Sequence, residues 1–132
     1  VVAALCPRRI GHGVRTAEDP GLLDRLIAEG VAFEVCPTSN VHLGVYTDFS
    51  QVPLPSLISA GATVALSADD PLLFRSRLVE QYAQARDAFG LSDRELAGLA
   101  RQSIEASLAP SSSKLRWFAR IEEWLAAPPA AA

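Results

Sequence analysis

Two adjacent carboxylates, Asp69 and Asp70, stand where an apolar run at residues 62–66 (A-T-V-A-L) stops, directly before Pro71. Neighbouring carboxylates repel each other and are costly to desolvate unless a cation or several donors meet them. An ion such as zinc would satisfy one, and a substrate nitrogen the other. The structural alternative is that Asp69 caps a helix opening at Pro71, with Asp70 near its positive end. His12 is the next candidate, because glycines on both sides permit unusual backbone angles and close approach of another group. Glu34 is the third. It either faces outward from its strand, or accepts a proton from the imidazole and fixes its tautomer. In parallel α/β folds ligands bind at the carboxyl ends of strands, which is where His12, Glu34 and the Asp pair all fall.

The elements that must position these groups follow from periodicity. Residues 1–5 read as the end of a helix stopped by Pro7. Residues 8–10, 31–36 and 62–66 read as three short strands, with Phe33 and Val35 alternating against Glu34. Between the first two lies a helix carrying Leu22, Leu23, Leu26 and Ile27, opened by a Thr16/Asp19 capping box and ended at Gly30. Residues 37–55 read as a long polar loop with Ser39, Asn40 and His42, of a length that is more often functional than accidental. A short helix with Leu54, Leu57 and Ile58 leads to Gly61. This βα rhythm predicts a parallel sheet. Beyond Pro71 the pattern is helical: one face with Leu78, Tyr82, Ala85 and Phe89, a second helix from a Ser92/Glu95 capping box through Leu108, and a last helix from Ser111 with Leu115, Phe118, Ile121 and Leu125 inward. Trp117 and Trp124 are expected as packing anchors, and residues 128–132 as a disordered tail.

Composition bounds the function. The 132 residues are 49% hydrophobic and 20% charged, a globular balance sufficient for one modest core. A net charge of −3 with scattered arginines gives no footprint for nucleic acid or an anionic membrane. No apolar run approaches the roughly 20 residues that span a bilayer, and no leader opens the chain, so a cytoplasmic setting is expected. The two cysteines are too few for a disulfide scaffold. C-P-x4-H occurs twice, at Cys6 to His12 and Cys36 to His42, but the spacing suits no zinc finger; both thiols are expected to be small buried hydrophobes, and His42 an exposed loop residue. The chain starts at Val1 and contains no methionine, which suggests a fragment.

Three motifs in order, R-I-G-H-G at 9–13, E-V-C-P-T-S-N at 34–40 and S-A-D-D-P-L-L-F at 67–74, resemble the last strand-end motifs of the adenosine deaminase family. The resemblance implies an α/β fold, the C-terminal portion of a (β/α)8 barrel of about three strands. Its last βα units would span 1–76 and its C-terminal helices 77–127. It also implies a zinc-dependent aminohydrolase converting adenosine or 2'-deoxyadenosine to the inosine product and ammonia; adenine and aminodeoxyfutalosine are the alternative substrates. By this match Asp69 would be a zinc ligand, Asp70 would hold a purine ring nitrogen, and His12 would hydrogen-bond the hydroxide that the metal activates. Glu34 would orient His12, and Ser39 would steady Asp69. The family's H-x-H, third zinc histidine and H-A-G-E glutamate would all precede Val1, so the isolated chain is expected to be inactive. The expected partners are the purine nucleoside substrate and either a homo-oligomer or the N-terminal part. A non-catalytic half-barrel that associates with a partner chain is the reading from another class.

Overall fold

The computed structural model describes residues 2–128. Helix α1 (Val2–Leu5) precedes strand β1 (Arg9–Gly11), and a 3-10 turn (Val14–Glu18) leads to α2 (Pro20–Ala28). Strand β2 (Ala32–Val35) is followed by α3 (Pro37–His42), a 3-10 turn (Phe49–Gln51), α4 (Leu54–Ser59) and strand β3 (Thr63–Leu66). Four helices close the order: α5 (Pro71–Phe74), α6 (Leu78–Phe89), α7 (Asp93–Glu105) and α8 (Ser111–Ala126). Of the tail expected at residues 128–132, residues 129–132 lie outside the described residues.

The strands form one parallel sheet in the order β1-β2-β3. Gly11 sits opposite Glu34, and Glu34 opposite Ala65. Two backbone bonds carry the ladder past the strand ends, His12 N–H to Glu34 O at 3.0 Å and Ser67 N–H to Val35 O at 2.9 Å. Parallel register therefore delivers all three carboxyl ends to one side of the molecule. Phe33, Val35 and Val64 are fully buried against Leu26, Leu54 and Leu57 from the covering helices, so β2 is the centre of the core. On the far side, Gln102 of α7 accepts the Val64 N–H at 2.8 Å, which satisfies a backbone donor of β3.

Several expectations change. The long polar loop contains α3 and a 3-10 turn: Pro37 starts the helix at its first position, and Gly44 in the left-handed region ends it. The Thr16/Asp19 capping box is absent. Asp19 itself caps α2 by accepting the Leu22 N–H at 3.0 Å, because Pro20 sets the helix start one residue later, and Thr16 lies in the 3-10 turn. The Ser92/Glu95 box forms as read. Helix α7 stops at Glu105, which leaves Leu108 exposed. Trp117 and Trp124 are 37% and 49% exposed, so neither is the buried packing anchor expected of it. Helix α8 is held chiefly through α7, where the Arg101 guanidinium sits 4.6 Å from the Phe118 ring centre and pairs with Glu122.

Candidate active site

The two strand-end residues that carry the chemistry share an unusual backbone. His12 has φ 57° and Asp69 has φ 59°, both left-handed, which residues with a side chain rarely adopt. Such strain persists only where surrounding structure over-determines it, and it gathers at functional sites. Gly13 helps impose it: at φ 65°, any Cβ there would stand 2.7 Å from Phe33 Cδ1. The chain therefore turns sharply after β1 and leaves the imidazole at the sheet's carboxyl edge.

That turn sets His12 Nε2 3.4 Å from Asp69 Oδ2, across the width of the three-stranded sheet. Ser39, fully buried on α3, donates its hydroxyl to the same Asp69 Oδ2 at 2.6 Å. Asn40, the next residue on that helix, presents Oδ1 to His12 Nδ1 at 3.3 Å. Helix α3 thus supports both groups from below. It is held in turn by Gln81 of α6, which is fully buried, accepts the Thr38 N–H at 3.2 Å and donates to Thr38 Oγ1 at 2.6 Å.

Glu34 is placed otherwise than expected. Its carboxylate takes the Arg9 Nε–H at 2.6 Å, and only its backbone carbonyl meets His12. The cause is register: Glu34 lies on the face of β2 opposite Phe33, where the Arg9 side chain arrives from the neighbouring strand. Of the two alternatives for Glu34, contact with the imidazole is not made: Asn40 is the side chain that meets His12, at Nδ1. The cap before Pro71 is also exchanged. Asp70, not Asp69, caps α5, its Oδ1 accepting from Leu72 N–H and Leu73 N–H at 2.9 Å each. Oδ2 of Asp70 has no partner among the described residues. Asp69 is released from capping and turns toward His12.

The thiols divide. Cys6 is exposed, against the expectation of burial, whereas Cys36 is buried and donates to Glu34 O at 3.2 Å. Burial pushes the Cys36 thiol up, with nearby Asp69 and Glu34 adding to the rise and a Ser67 hydrogen bond offsetting part of it. Cys36 Sγ, His12 and Asp69 present ligand atoms that lie within 4.8 Å of one another. His42 is the last residue of α3 rather than a loop residue; its Nδ1–H donates to Thr38 O at 2.9 Å and its ring lies 5.9 Å from that of Phe74. Sequence reasoning missed Asn40, Cys36 and Gln81 as parts of this site. The adjacency of Asn40 to Ser39 was the one available signal.

Comparison with known proteins gives this geometry a context. The adenosine deaminase family model matches residues 1–124. A Streptomyces coelicolor protein, provisionally named adenosine/adenine deaminase, is 56% identical over 119 residues, which is 90% of this chain and 35% of that protein. An adenine deaminase of Agrobacterium fabrum is 44% identical over 115 residues, 87% of this chain and 35% of that protein. The crystal structure of an adenine deaminase from Arthrobacter aurescens superposes with a TM-score of 0.91 and 34% identity, over 96% of this chain and 38% of that one. The match is to the C-terminal portion of its barrel. The chain spans about a third of the length of the curated relatives it matches.

Proposed function

Because the chain belongs to the adenosine deaminase family, we propose that it forms the last strands and helices of a zinc-dependent aminopurine aminohydrolase whose substrate is adenine. The observation that carries this is the approach of His12 Nε2 to Asp69 Oδ2 at 3.4 Å, at the carboxyl ends of β1 and β3. Adenine is favoured over adenosine by the names of the relatives at 42–44% identity, while the provisional name of the relative at 56% keeps the nucleoside as the second reading. The donor set suits zinc, since imidazole, carboxylate and thiol are its usual ligand types.

Asp69 is the residue of this chain that would hold the ion. Zinc, when bound, lowers the pKa of a coordinated water to about 7 and so supplies a nucleophile at neutral pH. The Ser39 hydroxyl keeps the Asp69 carboxylate turned to that side. With Asn40 Oδ1 accepting the Nδ1 proton, His12 presents Nε2 as the atom that takes a proton from the incoming water. Asp70, its Oδ1 locked by two cap bonds, offers Oδ2 to a protonated purine ring nitrogen. Water adds to the carbon bearing the amino group, ammonia leaves, and adenine becomes hypoxanthine.

The rest of the barrel is the partner this reading requires, and the isolated chain is expected to release no ammonia. The test is a chimera joining this chain to the preceding barrel segment of the Streptomyces coelicolor relative, loaded with zinc and offered adenine, adenosine and aminodeoxyfutalosine. Ammonia release that is greatest with adenine and lost in Asp69→Asn is the expected result. A folded, zinc-loaded chimera that deaminates none of the three overturns the proposal.

A further inference from the structure

We infer that the Cys36 thiol and the Ser67 hydroxyl are positioning residues for the reaction: they tie the turn after β3 to Glu34 O of β2, the carbonyl that also holds the turn after β1, and so fix how far His12 stands from Asp69. The inference rests on the aminohydrolase reading and gives a role to two side chains that take no step in it.

The link runs across the sheet from β3 to β1. Asp69 N–H donates to Ser67 Oγ at 3.2 Å, and the Ser67 hydroxyl in turn hydrogen-bonds the Cys36 sulfur, which also receives the Asp69 backbone N–H. Cys36 Sγ–H then donates to Glu34 O at 3.2 Å, and the same carbonyl accepts His12 N–H at 3.0 Å. A carbonyl oxygen has two lone pairs, so Glu34 O serves both donors. The two ends of this chain of bonds are the backbone N–H groups of His12 and Asp69. These are the two site residues with left-handed φ, 57° and 59°.

Such backbone persists only where its neighbours over-determine it. At the first turn Gly13 and Phe33 do so. Asp69 has no glycine beside it, standing between Ala68 and Asp70, so the bonds of its N–H to Ser67 and Cys36 are what hold the second turn. Ser39 sets the direction of the Asp69 carboxylate; Ser67 and Cys36 set the backbone from which it projects. Cys36 is 5% exposed, and its Sγ lies within 4.8 Å of the facing His12 and Asp69 side-chain atoms, so a shift at the sulfur reaches both. Asp70 is fixed separately, by its two cap bonds on α5. Loss of the link should therefore slow the chemical step and leave the hold on the purine ring intact.

The test uses the zinc-loaded chimera. Cys36→Ala and Ser67→Ala should each lower kcat for adenine about tenfold or more and keep KM within about twofold. The double variant should be no slower than the slower single one, because both changes interrupt one link. Cys36→Ser, which keeps a donor and an acceptor in place of the thiol, should recover most of the rate. Retention of zinc against a competing chelator, read without any turnover, should fall about tenfold in both alanine variants. Circular dichroism verifies folding. The infrared S–H stretch, isolated as the unaltered chimera minus Cys36→Ser, reads the Cys36 bond whether or not the alanine variants fold, and a hydrogen-bonded frequency is expected. An unchanged kcat in either alanine variant, equal losses in Cys36→Ser and Cys36→Ala, multiplying losses in the double variant, or a free-thiol frequency overturns the inference and leaves the aminohydrolase reading standing. An unaltered chimera that releases no ammonia overturns that reading instead, and zinc retention with the infrared band then decides the link.

Discussion

At the scale of single residues, the site depends on backbone that ordinary residues resist. His12 and Asp69 both sit near φ 60°, and each such position is strained by about 1–3 kcal/mol. Gly13 is what lets the first turn form, since its own φ is 65° and Phe33 closes the space where a Cβ would go. Gly13→Ala is therefore expected to cost about 1–3 kcal/mol, from left-handed strain and overpacking together. Chemical denaturation of the isolated chain measures it. A loss below about 0.5 kcal/mol would mean that the turn relaxes and that Phe33 does not enforce the position of His12.

At the scale of elements, α3 is the part that assembles the site, and it is fastened by one buried side chain. Gln81 has no exposure, and its amide serves Thr38 N–H, Thr38 Oγ1 and Ser76 at once. Replacing Gln81 by leucine takes this partner from the buried Ser76 hydroxyl and the Thr38 N–H, while Thr38 Oγ1 keeps its bond to Gln84 Oε1 at 3.0 Å, at an expected cost of about 1–3 kcal/mol. Because Ser39 and Asn40 follow Thr38 on the same helix, the variant should also slow ammonia release by the zinc-loaded chimera. Unchanged stability would show that α3 is held by its apolar contacts alone. The sequence concealed this helix for a physical reason: Thr38, Ser39 and Asn40 are weak helix formers with polar side chains, and six residues show no amphipathic period. Its helical state comes from Pro37 at its start and from packing against the strand ends.

At the scale of the whole molecule, burial of weakly acidic groups ties stability to pH. Burial raises the Cys36 thiol and the Tyr82 phenol, a Ser103 hydrogen bond returning part of the shift at Tyr82. Each group then keeps its proton in the folded chain at pH values where the unfolded chain has lost it. Folded molecules bind more protons there, so stability falls as pH rises. The fall should begin near pH 8.5 with the thiol and steepen above about pH 10 with the phenol, those being the ordinary values of the two groups. Thermal melts from pH 7 upward test this, with Tyr82→Phe expected to flatten the later part; an unchanged midpoint to pH 11 would oppose it. No helix of the described residues is long and apolar enough to cross a membrane.

The sequence by itself determined the three strands to within a residue, their βα order, the second capping box, and the positions of His12, Asp69 and Asp70 at strand ends. These follow from local rules: alternation, proline and glycine breaks, and carboxylates that a hydrophobic run cannot hold without a partner. Only the tertiary structure decided which of those residues meet. Parallel register sent Glu34 to Arg9, and α3 put Asn40 at His12 and Ser39 at Asp69. Capping by Asp70 freed Asp69, and the bend after β2 brought the Cys36 thiol beside both. Those choices are made between residues far apart in the chain, where spacing carries no information and the packing of α3 against the sheet carries all of it.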